Sequence, residues 1–522
     1  MGKCKKMGLL WFLMFALVFC VSGKQAEAAA KPAKITSAKI VSGKTVIRAK
    51  VKKAVSSRDK KYYLVKVNGF TGKPACILAE SQKKASLKFT LDTEDKANVI
   101  SKFGIAVKNG KKLKLISNTA YVKNPQAIAS NTQKYTLPAT KKGIHYASDV
   151  NLDSKHTLVN VNLNDLIGSE GSGEPYVYNG KTYYFNNTMQ NAVKMFVSRG
   201  VCVTLVVYMP WDSGNKYLIY PTGRQQGSYW YMLNTSDEKA RETLEAAFCY
   251  LGEKFSRPEY LVSNWVLGNE VNSQFYWNHA GNLSFEKYVK AYVQAFKMLS
   301  DAVHTGWSNA RVFVPLDNAW NIPVSEVGWT GKKFLTKFAS VLKKESKNTK
   351  WNLAYHAYSF PLPSEPYKEN QYVTKSSDSY YITPQNLQYL TDYIKKTYGS
   401  STRIILSEQG YMASTGEKAQ AASIMYSYFV AEFNPMVDAY IMRCEYDDAG
   451  EVSQGYAMGL TGLDGKKREA YKVYKYMDSP KSAAYARKYL KQIGASSWKA
   501  AVPGYKESRS VLKGKKKSHK MC

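Results

Sequence analysis

The chain has 522 residues, 44% of them hydrophobic and 22% charged, and a formal net charge of +35. That composition excludes a disordered or low-complexity chain. The length exceeds one ordinary domain and suits a barrel of ~250 residues or more with an appendage.

The charge is uneven. Residues 31–125 carry 23 Lys/Arg against 5 Asp/Glu and residues 481–522 carry 12 against 1, whereas residues 126–480 carry 36 against 33. Basicity confined to the flanks argues against a nucleic-acid enzyme. It points to flanks that meet an anionic cell-wall polymer, with solvated lysine faces as the ordinary alternative.

At the N-terminus, Lys3, Lys5 and Lys6 precede the apolar run Leu9 to Val21, and Ala28-Ala29-Ala30 offers small residues for cleavage. Residues 1–30 therefore read as a secretory signal peptide, and the mature protein is expected to be secreted or cell-surface associated. The run is short for a bilayer span of ~20 residues. Phe19 before Cys20 argues against lipoprotein processing, and no later stretch predicts a stable membrane span. The cysteines past the signal, Cys76, Cys202, Cys249, Cys444 and Cys522, are odd in number and lack C-x-x-C spacing. Neither a disulfide framework nor zinc is indicated.

Residues 31–125 alternate in period two. Short strands are predicted at Ile35–Ile40, Thr45–Ala49, Tyr62–Val67, Ser86–Leu91, Phe103–Val107 and Leu113–Ile116, with turns at Asn68-Gly69 and Asn109-Gly110. This spacing predicts a small immunoglobulin-like β-sandwich, followed by a linker over residues 126–142.

From residue 143 to 480, strands alternate with amphipathic helices, the pattern of a parallel sheet. Strands are predicted at Gly143–Tyr146, Thr157–Asn162, Val201–Tyr208, Val262–Leu267, Arg311–Leu316, Trp351–His356, Arg403–Ser407 and Asp438–Met442. Between them, Thr235 with Glu238 predicts a capping box, and Thr383-Pro384 predicts another helix start. A hairpin over Tyr176–Phe185 is expected to decorate an upper loop. Eight strands make this an α/β chain built on a (β/α)8 TIM barrel, with a basic extension over residues 481–522.

Catalysis in such barrels sits at the C-terminal strand ends. Those ends carry Asn269-Glu270 after the fourth strand, Asp317 after the fifth and His356-Ala357-Tyr358 at the sixth. Glu408 follows the seventh, and Arg443 with Glu445 follows the eighth. Cleaving a glycosidic bond takes two carboxyls, one to protonate the leaving oxygen and one to attack the anomeric carbon. Glu270 and Glu408 lie 138 positions apart yet both end strands that should run parallel. Trp211, Trp277 and Trp320 follow strand ends, where rings could stack on sugar or simply pack. Glu445, Asp447 and Asp448 lack calcium-loop spacing, so no metal is expected.

The Asn-Glu ending strand four and the Glu ending strand seven resemble clan A retaining glycoside hydrolases. Trp265 to Asn272 (WVLGNEVN), Tyr355 to Tyr358 (YHAY) and Leu406 to Tyr411 (LSEQGY) resemble a family of secreted bacterial barrel proteins of unassigned function, often with an N-terminal β-sandwich. The resemblance covers roughly residues 35 to 480. It implies Glu270 as acid/base, Glu408 as nucleophile, Asn269 on the sugar hydroxyl beside the reacting carbon, and no cofactor. His356 and Tyr358 would shape the site, and Trp320 is taken with them as a substrate-binding residue. Two features depart from that pattern: Arg443 and Glu445 stand where an aromatic is usual after strand eight, and no arginine matches near strand two. The other reading is a barrel without activity that binds carbohydrate or serves the cell envelope.

Overall fold

The computed structural model describes residues 30–186, 188–479 and 482–506. The segment before Ala30, expected to be a signal peptide, and the lysine cluster Lys513 to Lys520 lie outside these residues.

Eight parallel strands close a barrel: β9 (Lys142–His145), β10 (His156–Asn162), β13 (Cys202–Tyr208), β14 (Val262–Leu267), β15 (Arg311–Leu316), β16 (Asn352–Tyr355), β17 (Ile404–Gln409) and β18 (Val437–Met442). Each predicted barrel strand is present, with its ends displaced by two residues at most. Nearly every strand position is buried because both faces are covered, and most are apolar, as in the run Cys202–Tyr208. One set of alternate residues, including Leu158, Val206, Val266, Phe313, Ile405 and Ile441, fills the barrel interior. The other set faces the surrounding helices.

Helix starts differ in detail from the sequence pattern. The capping box of Thr235 with Glu238 does not form. Asp237 caps the helix Glu238–Lys254 by accepting from the Ala240 amide, since Thr235 is buried and donates to the Ala291 carbonyl. At Thr383 the box does form, with Asn386 as its reciprocal partner and Pro384 in the first turn.

Upstream, two antiparallel sheets share an apolar core. One holds β1 (Ala33–Val41), β2 (Lys44–Val51) and a later strand, β5 (Ser86–Asp92). The other runs β4 (Pro74–Gln82), β3 (Lys61–Val67), β6 (Lys102–Asn109) and β7 (Lys112–Leu115), and β8 (Ala120–Tyr121) pairs with β6. Two strands escape the sequence pattern: β4, an edge strand exposed on alternate residues and interrupted by register shifts, shows little apolar alternation, and β8 is two residues long and too short to show a period.

This unit packs on the flank of the barrel. Lys66 is 1% exposed and pairs with Glu245 at 3.1 Å, while Tyr121 donates to Gln294 at 2.6 Å. Glu245 also receives Arg241 and the Tyr178 hydroxyl, so the buried charges are matched.

The hairpin forms as β11 (Glu174–Tyr178) and β12 (Lys181–Phe185), turning at Asn179-Gly180. It belongs to the upper connection between β10 and the helix Gln190–Ser198, as expected. It lies along the helix Glu238–Lys254, with Glu174 on Lys254, Asn179 on Glu242, and the Asn179 amide on Asp95 of the upstream unit.

Candidate active site

The turn after β14 swings Glu270 back over the barrel. Gly268 takes φ 79° and Glu270 itself φ 36°, a left-handed conformation that costs a residue with a Cβ about 1–3 kcal/mol. The surroundings over-determine it. The Gly268 amide donates to the Val207 carbonyl, the Val271 amide to Pro315 and the Ser273 amide to Glu270's own carbonyl. Asn272 donates to Asp317 at 2.6 Å, and the Tyr288 hydroxyl donates to the Val271 carbonyl. The Glu270 carboxyl meets His356 Nδ1 at 2.8 Å.

Behind this pair sits Asp317. One of its oxygens accepts from Asn272 and the Ala319 amide, and the other is buried without a partner. Burial, and then the charge of Glu270, raise its carboxyl above the usual range. Burial alone would lower the His356 imidazolium, but the carboxylates of Glu408, Glu270 and Asp317 outweigh it and the group is raised.

Glu408 occupies an irregular stretch of β17, where the register against β18 shifts between Leu406 and Gln409. Such a bulge re-aims a side chain. The Tyr358 hydroxyl donates to Glu408 Oε1 at 2.6 Å, and Arg443 Nε lies 3.9 Å from the same oxygen. Arg443 is in turn held by Glu451 at 2.6 Å. Gly410 makes room for this cluster, because a Cβ there would lie 2.3 Å from Met458 Sδ and 3.1 Å from the Tyr358 ring. Burial raises the Glu408 carboxyl, but the charges of His356, Arg443 and His145 and the Tyr358 hydrogen bond prevail and hold it at about 2. His145, at the end of β9, donates from Nε2 to the Ser407 carbonyl at 3.1 Å, and burial pushes its imidazole down to about 4.

Of the residues expected here, Glu270, Glu408, His356 and Tyr358 come together at one end of the barrel, with Asn269 buried beside Glu270. Trp320 does not join them. It is 2% exposed, packed against Gly331 and edge-on to Tyr393, because the chain after β15 turns under the helix Gly331–Glu345. Its substrate contact is corrected to a packing role.

Trp230, which the sequence pattern did not single out, stacks on Tyr208 at 4.3 Å and covers the barrel interior. Burial, and then the charge of Glu408, raise the Tyr208 phenol, which places this pair in the field of the site. Trp230 lies in a loop without periodicity, where only its aromatic neighbours Tyr229 and Tyr231 gave a signal. Outward from it, Tyr229 stacks on Trp277 at 5.0 Å beside the exposed Phe275 and Tyr276, a continuous aromatic rim. Trp211 leans on Tyr231 instead.

The acidic residues after β18 are committed to structure. Glu445 accepts from the Ser148 and Asp149 amides, Asp447 binds Arg468, and Asp448 caps a short helix. Among the described residues no group of three His, Cys, Asp or Glu is placed to hold a metal ion.

The model of a family of unknown function, DUF5722, matches residues 134–501, which span the whole barrel and its site. The chain belongs to this family. No curated protein matches this DUF5722 member. Among solved structures it is similar to a family 39 glycoside hydrolase from the gut symbiont Bacteroides cellulosilyticus WH2, at 13% identity and TM-score 0.45 over 82% of this chain and 79% of that one. It is also similar to a β-glucosidase from Thermotoga maritima in complex with glucoimidazole, at 11% identity and TM-score 0.38 over 66% of this chain and 84% of that one. An exo-β-1,4-mannosidase from Opitutaceae bacterium strain TAV5 matches at 13% identity and TM-score 0.40 over 69% of this chain and 63% of that one. The chain spans 61% and 50% of the length of two β-glucuronidases it also matches.

Proposed function

We propose that the protein is a secreted or cell-surface retaining glycoside hydrolase acting on a polysaccharide or oligosaccharide without a cofactor. One observation carries this reading: two glutamates at one barrel mouth stand in opposite settings. Glu408 is held ionised by Arg443, His356 and Tyr358, while Glu270 faces a single imidazole beside a buried carboxyl.

In the first step a Glu408 oxygen attacks the anomeric carbon as the glycosidic C–O bond breaks, and Glu270 delivers its proton to the leaving oxygen. Tyr358 and Arg443 hold Glu408 at Oε1, which leaves Oε2 to attack. In the second step Glu270 takes a proton from water, whose oxygen displaces Glu408 from the sugar. His356, 2.8 Å from Glu270, keeps a proton shared with that carboxyl between the steps. Asn269 bonds the sugar hydroxyl next to the reacting carbon, and Trp230 with the aromatic rim gives a polymer rings to stack on. The N-terminal lysines and the apolar run Leu9 to Val21 support export.

The test is a polysaccharide and aryl-glycoside screen with the product anomer followed by NMR. Retention is expected, with near-complete loss in Glu408→Gln. Glu270→Ala should keep turnover of aryl glycosides with good leaving groups, and azide should accelerate it. Inversion, or full activity in Glu408→Gln, overturns the mechanism. Arg443, which fills the position of a floor aromatic, favours the second reading, a carbohydrate-binding barrel without turnover. Sugar binding with no hydrolysis across the screen selects it.

A further inference from the structure

The outer face of the three-stranded sheet presents cations in register with cations. Strand β1 sets Lys34 opposite Lys50 of β2, and Arg48 of β2 stands opposite Lys88 of β5. Lys39 lies two residues along β1 from Ser37, the partner of Arg48 on its other side, and so shares this face. All five cations are exposed, and among the described residues none of them forms an ion pair. The one acid on the face, Asp92, is taken by Lys44. The opposite face is apolar, with Ile35, Ile47, Leu87 and Phe89 in the core, so the strand register leaves these charges no freedom to turn inward. Like charges set directly across a sheet repel, and the fold keeps two such pairs side by side.

We propose that this face binds a linear polymer bearing phosphate groups. Neighbouring strands lie ~4.8 Å apart and successive same-face positions ~6.7 Å apart, so the cations form a short lattice that a chain with regularly spaced charges can cross. Four of the five are lysines, compact point charges of the kind that binds phosphate without a fixed approach geometry. The face carries no aromatic ring, since the one aromatic in its three strands, Phe89, is buried. That removes the stacking platform a single-stranded nucleic acid uses. Its one exposed large apolar side chain, Val41, makes no wedge for a membrane.

The experiment titrates the full-length protein with linear inorganic polyphosphate of uniform length and measures affinity against salt. Five contacts at a slope of ~0.7 each predict about a 100-fold loss between ~50 and ~200 mM salt. The variant K34Q/K39Q/R48Q/K50Q/K88Q should lose that affinity and most of the slope. The pairs K34Q/K50Q and R48Q/K88Q should each lose two-fifths of the slope with a melting temperature no lower than the parent's. Removing the same number of exposed charges from the barrel, in K343Q/K344Q/K347Q/K395Q/K396Q, should leave affinity within about 3-fold of the parent. An equal loss in the barrel variant means that net charge alone is read, and it overturns the proposal. So does polygalacturonate binding as tightly as polyphosphate, or no binding to either.

Discussion

Replacing Arg443 with Gln tests whether the charge around Glu408 is what holds it ionised. The carboxyl sits at about 2 against an ordinary 4.5, a net preference for the charged form of about 3 kcal/mol. Arg443 Nε is 3.9 Å from Oε1, and the two side chains are 30% and 19% exposed. A unit charge at that distance contributes ~1 kcal/mol in water and ~4 kcal/mol at an effective dielectric near 20, so partial exposure puts it at about 2 kcal/mol. Arg443→Gln should therefore move the acid limb of kcat/KM from about 2 to roughly 3.5. Glu451→Gln should move it the other way, because Arg443 loses its competing partner.

A stability readout needs no substrate. The lowered carboxyl contributes its full stability above pH 4.5 and loses it as pH falls through about 2. In urea, Arg443→Gln should cost about 2 kcal/mol at neutral pH, and the gap from the parent should narrow below pH 4.5. An acid limb that stays in place in Arg443→Gln, or shifts alike in both variants, refutes the electrostatic assignment.

Asp317 has the opposite sign: its carboxyl is raised, so the folded state holds the proton more tightly and loses stability as pH climbs above the ordinary 3.8. Asp317→Asn should gain on the order of 2 kcal/mol over the parent at pH 8 relative to pH 4 by urea unfolding, and an equal difference at both pH values counts against it. Lys66→Met strips a buried partner from Glu245 and should cost ~3 kcal/mol, with part regained in Lys66→Met/Glu245→Gln; a single variant as stable as the parent contradicts the interface reading. Trp320→Ala should lose ~3–5 kcal/mol of stability with KM unchanged, whereas Trp277→Ala should raise KM for a polymer several-fold with little change in melting temperature. The reverse pattern returns Trp320 to the binding surface.

The barrel was legible because most of its strands are short, largely apolar runs between helices, and closure repeats that pattern around the sheet. The two glutamates were legible for the same reason, as strand ends fix which residues look out of the mouth. What happens after a strand end was not. Trp320 follows β15 by a few residues, as Trp277 follows β14 by ten, yet one chain turns inward under a helix and the other stays on the rim. Period and propensity describe repeating backbone, and neither loop repeats. Arg443 shows a second limit: the sequence marked it as the absence of an aromatic, and only the distance to Glu408 turned that absence into a charge. The hairpin Glu174–Phe185 was legible as a hairpin in the connection after β10, but nothing in its own residues names Glu242 and Asp95 as its neighbours.

Two carboxyls sharing a mouth oppose each other's ionisation, so a fold that uses both must treat them unequally. Here the inequality comes from where the cations are anchored. Arg443 arrives from β18, next to β17, so its charge falls on Glu408 even though it is shared with Glu451. On the other side the neighbours of Glu270 come from β15 and β16 and supply one imidazole and one more acid, so negative charge accumulates there. His356 links the halves, because the carboxylates of Glu408 and Glu270 both raise it while its hydrogen bond goes to Glu270 alone. Glu408 is therefore the carboxyl of the pair that is held charged, the state a nucleophile would need before a sugar arrived.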